Sequence, residues 1–240
     1  ENLFIRNDYH DSIMKMIADS KLIPKLEYRY SDFTFIILKE YLEKSLHKTI
    51  DVLSQENFYN SLGMNNTTYN PLQKFDKNSI APTEIDNYFR YQTIQGYAHD
   101  MEAAMEGGVG GHAGIFSNTM DVAKIMQMYL QKGNYGNKEY FTAKTFDDFN
   151  SCYFYQEDNR RGLGFDKPQI GNEGPTCGCV SKSSFGHTGF TGTMAWADPE
   201  TEIVYVFLSN RTYPDATVNY LSKGNIREDI QKVIQDAIVK

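Results

Sequence analysis

The sequence predicts a fold of the mixed α/β class, in its α+β form: an antiparallel sheet flanked by helices, with a helical region beside it. Three observations carry this expectation. Apolar residues recur at helical spacing through the first 62 residues and again between residues 121 and 149. The period then changes, and Met194 to Ala197, a turn at Asp198-Pro199-Glu200-Thr201, and Ile203 to Ser209 read as a hairpin rich in β-formers. No βαβ alternation accompanies these elements, so a parallel sheet is not expected.

Taken in order, Ser12 to Lys21 reads as a short helix with Asp11 or Ser12 as its N-cap, Ile13, Met16 and Ile17 on one face, and Pro24 as its stop. Phe33 to Ser45 carries Phe33, Ile36, Ile37, Tyr41 and Leu42, and a helix that apolar is expected to be buried on most sides. Thr49 to Leu62 is a third helix, capped by Thr49 or Asp51 and ended by Gly63, which suits the left-handed position after a helix. Residues 63–114 break into turns and short pieces, with Asn70-Pro71, Ala81-Pro82 and a glycine cluster from Gly107 to Gly114. Helices resume at Asp121 to Gln131 and at Thr142 to Phe149. The last, Ile226 to Ile238, places Ile226, Ile230, Val233, Ile234 and Ala237 on one side, as if to pack that side inward. The 240 residues, 40% apolar and 14% aromatic, are enough for a sizeable core and are read as a single domain, 1–240.

Composition excludes several functions. A formal net charge of -7, with no Lys/Arg-rich run, argues against a nucleic-acid partner. No apolar run approaches the roughly 20 residues of a membrane span. The first ten residues lack the pattern of a secretory signal. Cys152, Cys177 and Cys179 make no disulfide framework by count, and the C-x-C pair alone argues no metal site. His99-Asp100 and Gly111-His112-Ala113-Gly114 invite a metal reading but lack a third ligand at recognisable spacing, so no metal and no cofactor is expected. The Gly107 to Gly111 cluster lacks the Gly-Lys-Ser/Thr of a phosphate cradle. Glu84, Asp86 and Arg90 are read as an ion-pair network of structural character.

Two motifs remain. Tyr30-Ser31-Asp32 opens the apolar second helix, where Ser31 or Asp32 is an ordinary N-cap. Ser183 to Thr193, SSFGHTGFTGT, reads plainly as a Gly-rich strand where another backbone comes close, and functionally as a strand edge able to bind an extended peptide or an acyl oxygen. With GGVGGHAGIFSN (residues 107–118) between them, the two motifs resemble, in order, the serine β-lactamase and penicillin-binding-protein superfamily, in the class C-like group that also holds esterases and D-amino-acid peptidases. That resemblance implies a β-lactamase-like fold and an acyl-enzyme hydrolase acting on an ester, an amide or a D-amino-acid peptide. It places Tyr30 at the proton-handling tyrosine, Asp32 at the asparagine of Tyr-x-Asn, and His187-Thr188-Gly189 at Lys-Thr-Gly, with the Phe190 N–H as one half of an oxyanion hole. It thus makes Tyr30 and His187 the catalytic candidates and Asp32, Thr188, Gly189 and Phe190 the substrate-binding ones. His187 in place of lysine gives a donor with only partial charge at neutral pH, and Asp32 in place of asparagine gives an acceptor for a substrate N–H.

The family's nucleophile comes from Ser-x-x-Lys. Two such strings exist, Ser12-Ile13-Met14-Lys15 and Ser45-Leu46-His47-Lys48, and neither fits: Ser45 follows the Tyr motif in chain order, and Ser12 precedes it too closely for the intervening helical region. The chain is therefore expected to be the C-terminal portion of a longer domain, incomplete at its N-terminus, with the serine upstream and the chain inactive alone. An upstream glycoside hydrolase module, a peptidoglycan-related small-molecule or peptide substrate, and a periplasmic or extracellular location in a bacterium are further implications of the resemblance. The alternative reading is an inactive binding or accessory domain attached to a larger hydrolase.

Overall fold

The computed structural model describes residues 4–6, 8–23, 28–155, 159–169 and 174–238. Pro24, the expected stop of the first helix, lies outside them. The chain runs through α1 (Tyr9–Ala18), α2 (Phe33–Leu46), α3 (Ile50–Ser54), a π-helical turn (Gln55–Tyr59), α4 (Asn60–Leu62), 3-10 turns at Pro71–Gln73 and Lys77–Ser79, β1 (Pro82–Asp86), β2 (Gln92–Gln95) and α5 (Met101–Met105). It continues through α6 (Thr119–Leu130), β3 (Asn134–Tyr135), β4 (Lys138–Glu139), α7 (Ala143–Asn150), β5 (Phe185–Thr188), β6 (Met194–Asp198), β7 (Ile203–Phe207), α8 (Tyr220–Lys223) and α9 (Ile226–Asp236). Two compact units result, one of residues Glu1–Gln55 and Thr68–Phe116, the other of Glu56–Thr67 and Ser117–Lys240.

In the first unit, α1 buries none of its side chains. α2 has the expected extent but not the expected burial: only Ile36, Lys39 and Glu40 are buried, while Phe33, Phe35, Ile37, Leu38, Tyr41 and Leu42 are all exposed. The buried stripe at i, i+3 and i+4 is ionic because it packs on an ionic neighbour, the Lys39 ammonium lying 3.0 Å from Glu106 and 3.7 Å from Glu43. β1 and β2 form an antiparallel pair, with Glu84 opposite Ile94 and Asp86 opposite Gln92. Alternating apolar residues do not mark these strands, because the inward positions are Glu84 and Asp86, each about 1% exposed. Buried carboxylates need a partner, and Arg90 supplies it, at 3.1 Å to Glu84 and 2.8 Å to Asp86, while also donating to the carbonyls of Ala98 and His99. Burial pushes the Asp86 carboxyl up, but Arg90 and the N–H groups of Phe89, Arg90 and Tyr88 outweigh it and hold the group down at about 2. The expected network is thus present and structural.

The second unit holds the main core. β5, β6 and β7 make a three-stranded antiparallel sheet in that order, with His187 opposite Ala195 and Thr188 opposite Met194. α6 lies against β6 and β7, and Met126, Phe146, Phe185 and Ala197 close a cluster in which the Phe165 and Phe185 rings stand 4.9 Å apart. The side chain of Asn118 caps α6 by accepting the Asp121 N–H at 2.9 Å, and Thr142 caps α7 in the same way. The expected hairpin is β6–β7. α9 has the expected extent but its faces are reversed: Ile226, Ile230, Val233 and Ile234 are exposed, and Arg227 and Gln231 are buried. Specific polar bonds decide this, Gln231 accepting the Cys177 N–H at 3.0 Å and the Arg227 carbonyl accepting the Tyr205 hydroxyl at 3.0 Å. Cys177 and Cys179, set aside by cysteine counting, are joined in a disulfide with their Cα atoms 5.2 Å apart.

Candidate active site

The second unit carries the SSFGHTGFTGT segment, and the strand proper is only Phe185–Thr188. Gly186 is required there, since a Cβ would lie 2.2 Å from the Ala195 carbonyl oxygen and 2.5 Å from the Trp196 ring. After Thr188 the chain turns: the Gly189 N–H donates to Thr193 at 2.8 Å and the Gly192 N–H to Gly189 at 2.9 Å, with Gly192 at φ +96°. The Arg211 N–H and the Ser209 hydroxyl both donate to the Thr191 carbonyl, which fixes the turn from the far side. Phe190 stands at its tip, 64% exposed, with the Arg211 guanidinium 4.4 Å from its ring centre.

On the outer edge of β5, Asp166 forms an antiparallel bridge with Gly186, N–H to carbonyl in both directions at 2.8 and 3.1 Å. That bridge delivers an arginine pair to the strand. The buried Asp166 carboxylate accepts from Arg160 Nη2 at 2.9 Å and from Arg161 Nη2 at 3.1 Å. Arg161 Nη1 lies 2.7 Å from His187 Nε2, and His187 Nδ1 lies 2.7 Å from the Thr188 carbonyl oxygen. A guanidinium only donates, so Nε2 is the acceptor, and a carbonyl only accepts, so Nδ1 carries the hydrogen. His187 is therefore an oriented neutral ring in this arrangement. Two guanidinium groups on one carboxylate leave a net positive charge beside it. Arg161 thus puts a cation beside the histidine that the resemblance places at the lysine position.

The first unit carries Tyr30-Ser31-Asp32. Tyr30 is 58% exposed. The Ser31 hydroxyl accepts the Phe33 N–H at 3.3 Å, whereas the Asp32 side chain makes no capping bond although it occupies the N-cap position. The capping role thus falls to Ser31, and the carboxylate is not spent on the helix. Of the Ser-x-x-Lys strings, Lys15 is directed along α1 to Asp19 at 2.8 Å, away from Ser12, and Ser45 lies exposed in the last turn of α2. Among the described residues, no group of three or more His, Cys, Asp or Glu is arranged to hold a metal ion, and no helix is long and apolar enough to cross a membrane.

The model of the family named Beta-lactamase matches residues 2–225. The chain belongs to the Beta-lactamase family. Among curated proteins, one from Escherichia coli (strain K12) named "Putative D-alanyl-D-alanine carboxypeptidase" is 34% identical over 221 residues, covering 85% of this chain and 50% of its own. The chain spans about half the length of the curated relatives it matches. Among solved structures, a β-lactamase from Mycobacterium bovis superposes with a TM-score of 0.60 at 19% identity, covering 90% of this chain and 65% of that one. A penicillin-binding-protein homologue from Caulobacter crescentus gives 0.58 at 16% identity, covering 85% and 58%. These likenesses show the β-lactamase-like α+β fold. Within this Beta-lactamase chain, the residues that sequence reasoning missed are Arg160, Arg161 and Asp166. They fall in an irregular stretch with no periodicity, and the Asp166–Gly186 pairing helps bring them to the strand.

Proposed function

We propose that this Beta-lactamase-family chain forms the substrate-binding part of a serine acyl hydrolase that cleaves peptides ending in a D-alanyl-D-alanine carboxylate. The observation that carries the reading is the Arg161 guanidinium set against His187 at the end of the His-Thr-Gly strand. A terminal carboxylate is the planar anion that such a donor recognises. The outer edge of β5 past its Gly186–Asp166 bridge, at Thr188, would receive the peptide backbone, and the Phe190 N–H, at the turn that follows, would face the developing oxyanion. Asp32 would accept a substrate amide N–H, and Tyr30 would carry the proton between nucleophile and leaving amine. Carboxypeptidase-named relatives support the substrate class. The disulfide and the bacterial relatives support a periplasmic or extracellular location, since such bonds persist in oxidising compartments.

Neither Ser12 nor Ser45 is the acyl acceptor in this reading; the serine is supplied from sequence outside these 240 residues. The exposed positions of both serines also support a second reading, a binding or accessory domain of a larger hydrolase, which differs only in whether any longer chain releases D-alanine. The test pairs intact-mass spectrometry after incubation with a penicillin and equilibrium binding of N-acyl-D-alanyl-D-alanine. The expected result is reversible peptide binding without a covalent adduct. An adduct on Ser12 or Ser45 overturns the assignment of the nucleophile, and absence of peptide binding overturns the substrate class.

A further inference from the structure

In the second unit, the segment from Thr176 to Ser181 carries a cross-link that does little for the fold. Cys177 and Cys179, two positions apart, are joined to one another. A disulfide stabilises a protein chiefly by restricting its unfolded chain, and the effect grows with the loop that the bond closes. A loop of three residues restricts almost nothing, since residues two apart stay neighbours in any conformation. Other bonds fix the chain on both sides. The Gln169 amide donates to the Thr176 carbonyl and accepts the Thr176 hydroxyl, and Thr176 is buried. Gln231 of α9, also buried, accepts the Cys177 N–H at 3.0 Å. Beyond the pair, the buried Asp198 at the end of β6 accepts the Ser181 N–H at 2.8 Å. None of these bonds uses a sulfur, so none is lost when the disulfide opens.

The same segment has the features that thiol–disulfide exchange requires. In that reaction a thiolate attacks one sulfur of a disulfide and the other sulfur departs as a thiolate, so one sulfur must be reached and the other must be a good leaving group. Cys179 and Gly178 are exposed, whereas Cys177 is half-buried. Gly178 makes the turn at φ +71° and puts no side chain over the pair. The Cys179 N–H donates to Cys177 Sγ at 3.3 Å. A hydrogen bond strengthens when its acceptor gains charge, so this one favours Cys177 as the departing thiolate. The two cysteines therefore differ in role: Cys179 is the sulfur to be attacked and Cys177 the one that leaves.

We propose that Cys177-Gly178-Cys179 is a redox site that exchanges its disulfide with an external dithiol. A thiolate of the dithiol attacks Cys179 Sγ, a mixed disulfide forms as the bond to Cys177 breaks, and the Cys177 thiolate takes a proton from water. The second thiol of the dithiol, on losing its proton, attacks its partner sulfur in the mixed disulfide, and Cys179 departs and is protonated in turn. The dithiol is oxidised by two electrons to a disulfide, and the cysteine pair is reduced to two thiols. Because Gln169, Gln231 and Asp198 hold the flanks in both states, the reaction proceeds within the folded protein. Acyl hydrolysis gives the pair no role, so this inference stands whether or not the proposed function does. Cys152 is separate from it, its thiol donating to the Arg160 carbonyl at 2.7 Å.

The test equilibrates the wild-type full chain in buffers of rising reduced-to-oxidised glutathione ratio, two glutathione thiols standing in for the dithiol. Free thiols are then alkylated and counted by intact mass: one label, on Cys152, marks the oxidised chain, and three mark the reduced one. The reduced fraction is expected to rise from about one tenth to about nine tenths across the series, with the circular dichroism of the folded chain unchanged, whereas disulfides of structural character resist the glutathione pool. A pair that stays oxidised in excess reduced glutathione until urea unfolds the chain overturns the proposal. Loss of the folded spectrum on reduction overturns it as well, since the flanking bonds would then not hold without the disulfide. A second arm quenches the reaction early and maps the mixed disulfide by fragmentation. Glutathione is expected on Cys179 with Cys177 alkylated, and glutathione on Cys177 overturns the roles given to the two sulfurs.

Discussion

Asp166→Asn removes the charge on which the arginine pair depends while keeping the side-chain shape. The native carboxylate, 2% exposed, accepts Arg160 Nη2 at 2.9 Å, Arg161 Nη2 at 3.1 Å and the Lys167 N–H at 2.9 Å, with Arg160 Nε 2.8 Å away as part of the ion pair. The amide would turn two donors toward guanidinium donors. Breaking a buried ion pair costs about 3–5 kcal/mol. Arg160 and Arg161 keep 30% and 22% of their side-chain surface and can turn toward water, so the expected loss is ~2–3 kcal/mol. Urea unfolding at pH 7 reads it as a lower midpoint at unchanged slope. Adding Arg161→Gln to that variant should destabilise less than Arg161→Gln does in wild type, because the two share one interaction. A stability within about 0.5 kcal/mol of wild type would refute the claim that Asp166 organises the arginine pair.

Other expectations follow from the same strand. Gly186→Ala places a methyl 2.2 Å from a backbone carbonyl that cannot yield, and about 3 kcal/mol of destabilisation is expected by chemical denaturation. Gly189→Ala meets the Thr193 hydroxyl instead, which can rotate away, so it should cost less than Gly186→Ala in the same assay. Burial lowers the Lys167 ammonium from 10.5 to about 8. The unfolded chain then binds more protons than the native one between those values, so stability should rise by ~2 kcal/mol from pH 8 to 9.5. Lys167→Met should flatten that rise in urea midpoints; an equal slope in both proteins contradicts it. Tyr30→Phe should leave peptide binding within about threefold of wild type, because a proton carrier acts in the reaction and not in the ground state. A larger loss would recast Tyr30 as a binding residue.

The hairpin β6–β7 and helices α6 and α7 were legible because each obeys a single period, although the cap of α6 proved to be Asn118, one residue before the expected entry at Thr119. The reversed face of α9 was not, because hydrophobic spacing says which residues share a side and not which side packs. There Gln231 and Arg227 decide the matter through bonds to residues 54 and 22 positions away. β1 and β2 escaped notice because their inward residues Glu84 and Asp86 are acidic and are paired by Arg90 from beyond the strand. His187 was visible as a histidine in a lysine's place, but its protonated nitrogen was not. That depends on Arg161, 26 residues earlier, brought to it by the pairing of Asp166 with Gly186. The disulfide was passed over because counting cysteines does not report the Cα distance between two of them.

The central claim is that Arg161 makes the His-Thr-Gly strand a carboxylate site, and one calorimetric cycle tests it directly. Wild type and Arg161→Gln are each titrated with N-acyl-D-alanyl-D-alanine and with its C-terminal amide. The account predicts that wild type prefers the free acid by about tenfold or more, the worth of a charge-assisted pair, and that Arg161→Gln loses that preference. Equal affinity of wild type for acid and amide, or an acid preference that survives in Arg161→Gln, would contradict it.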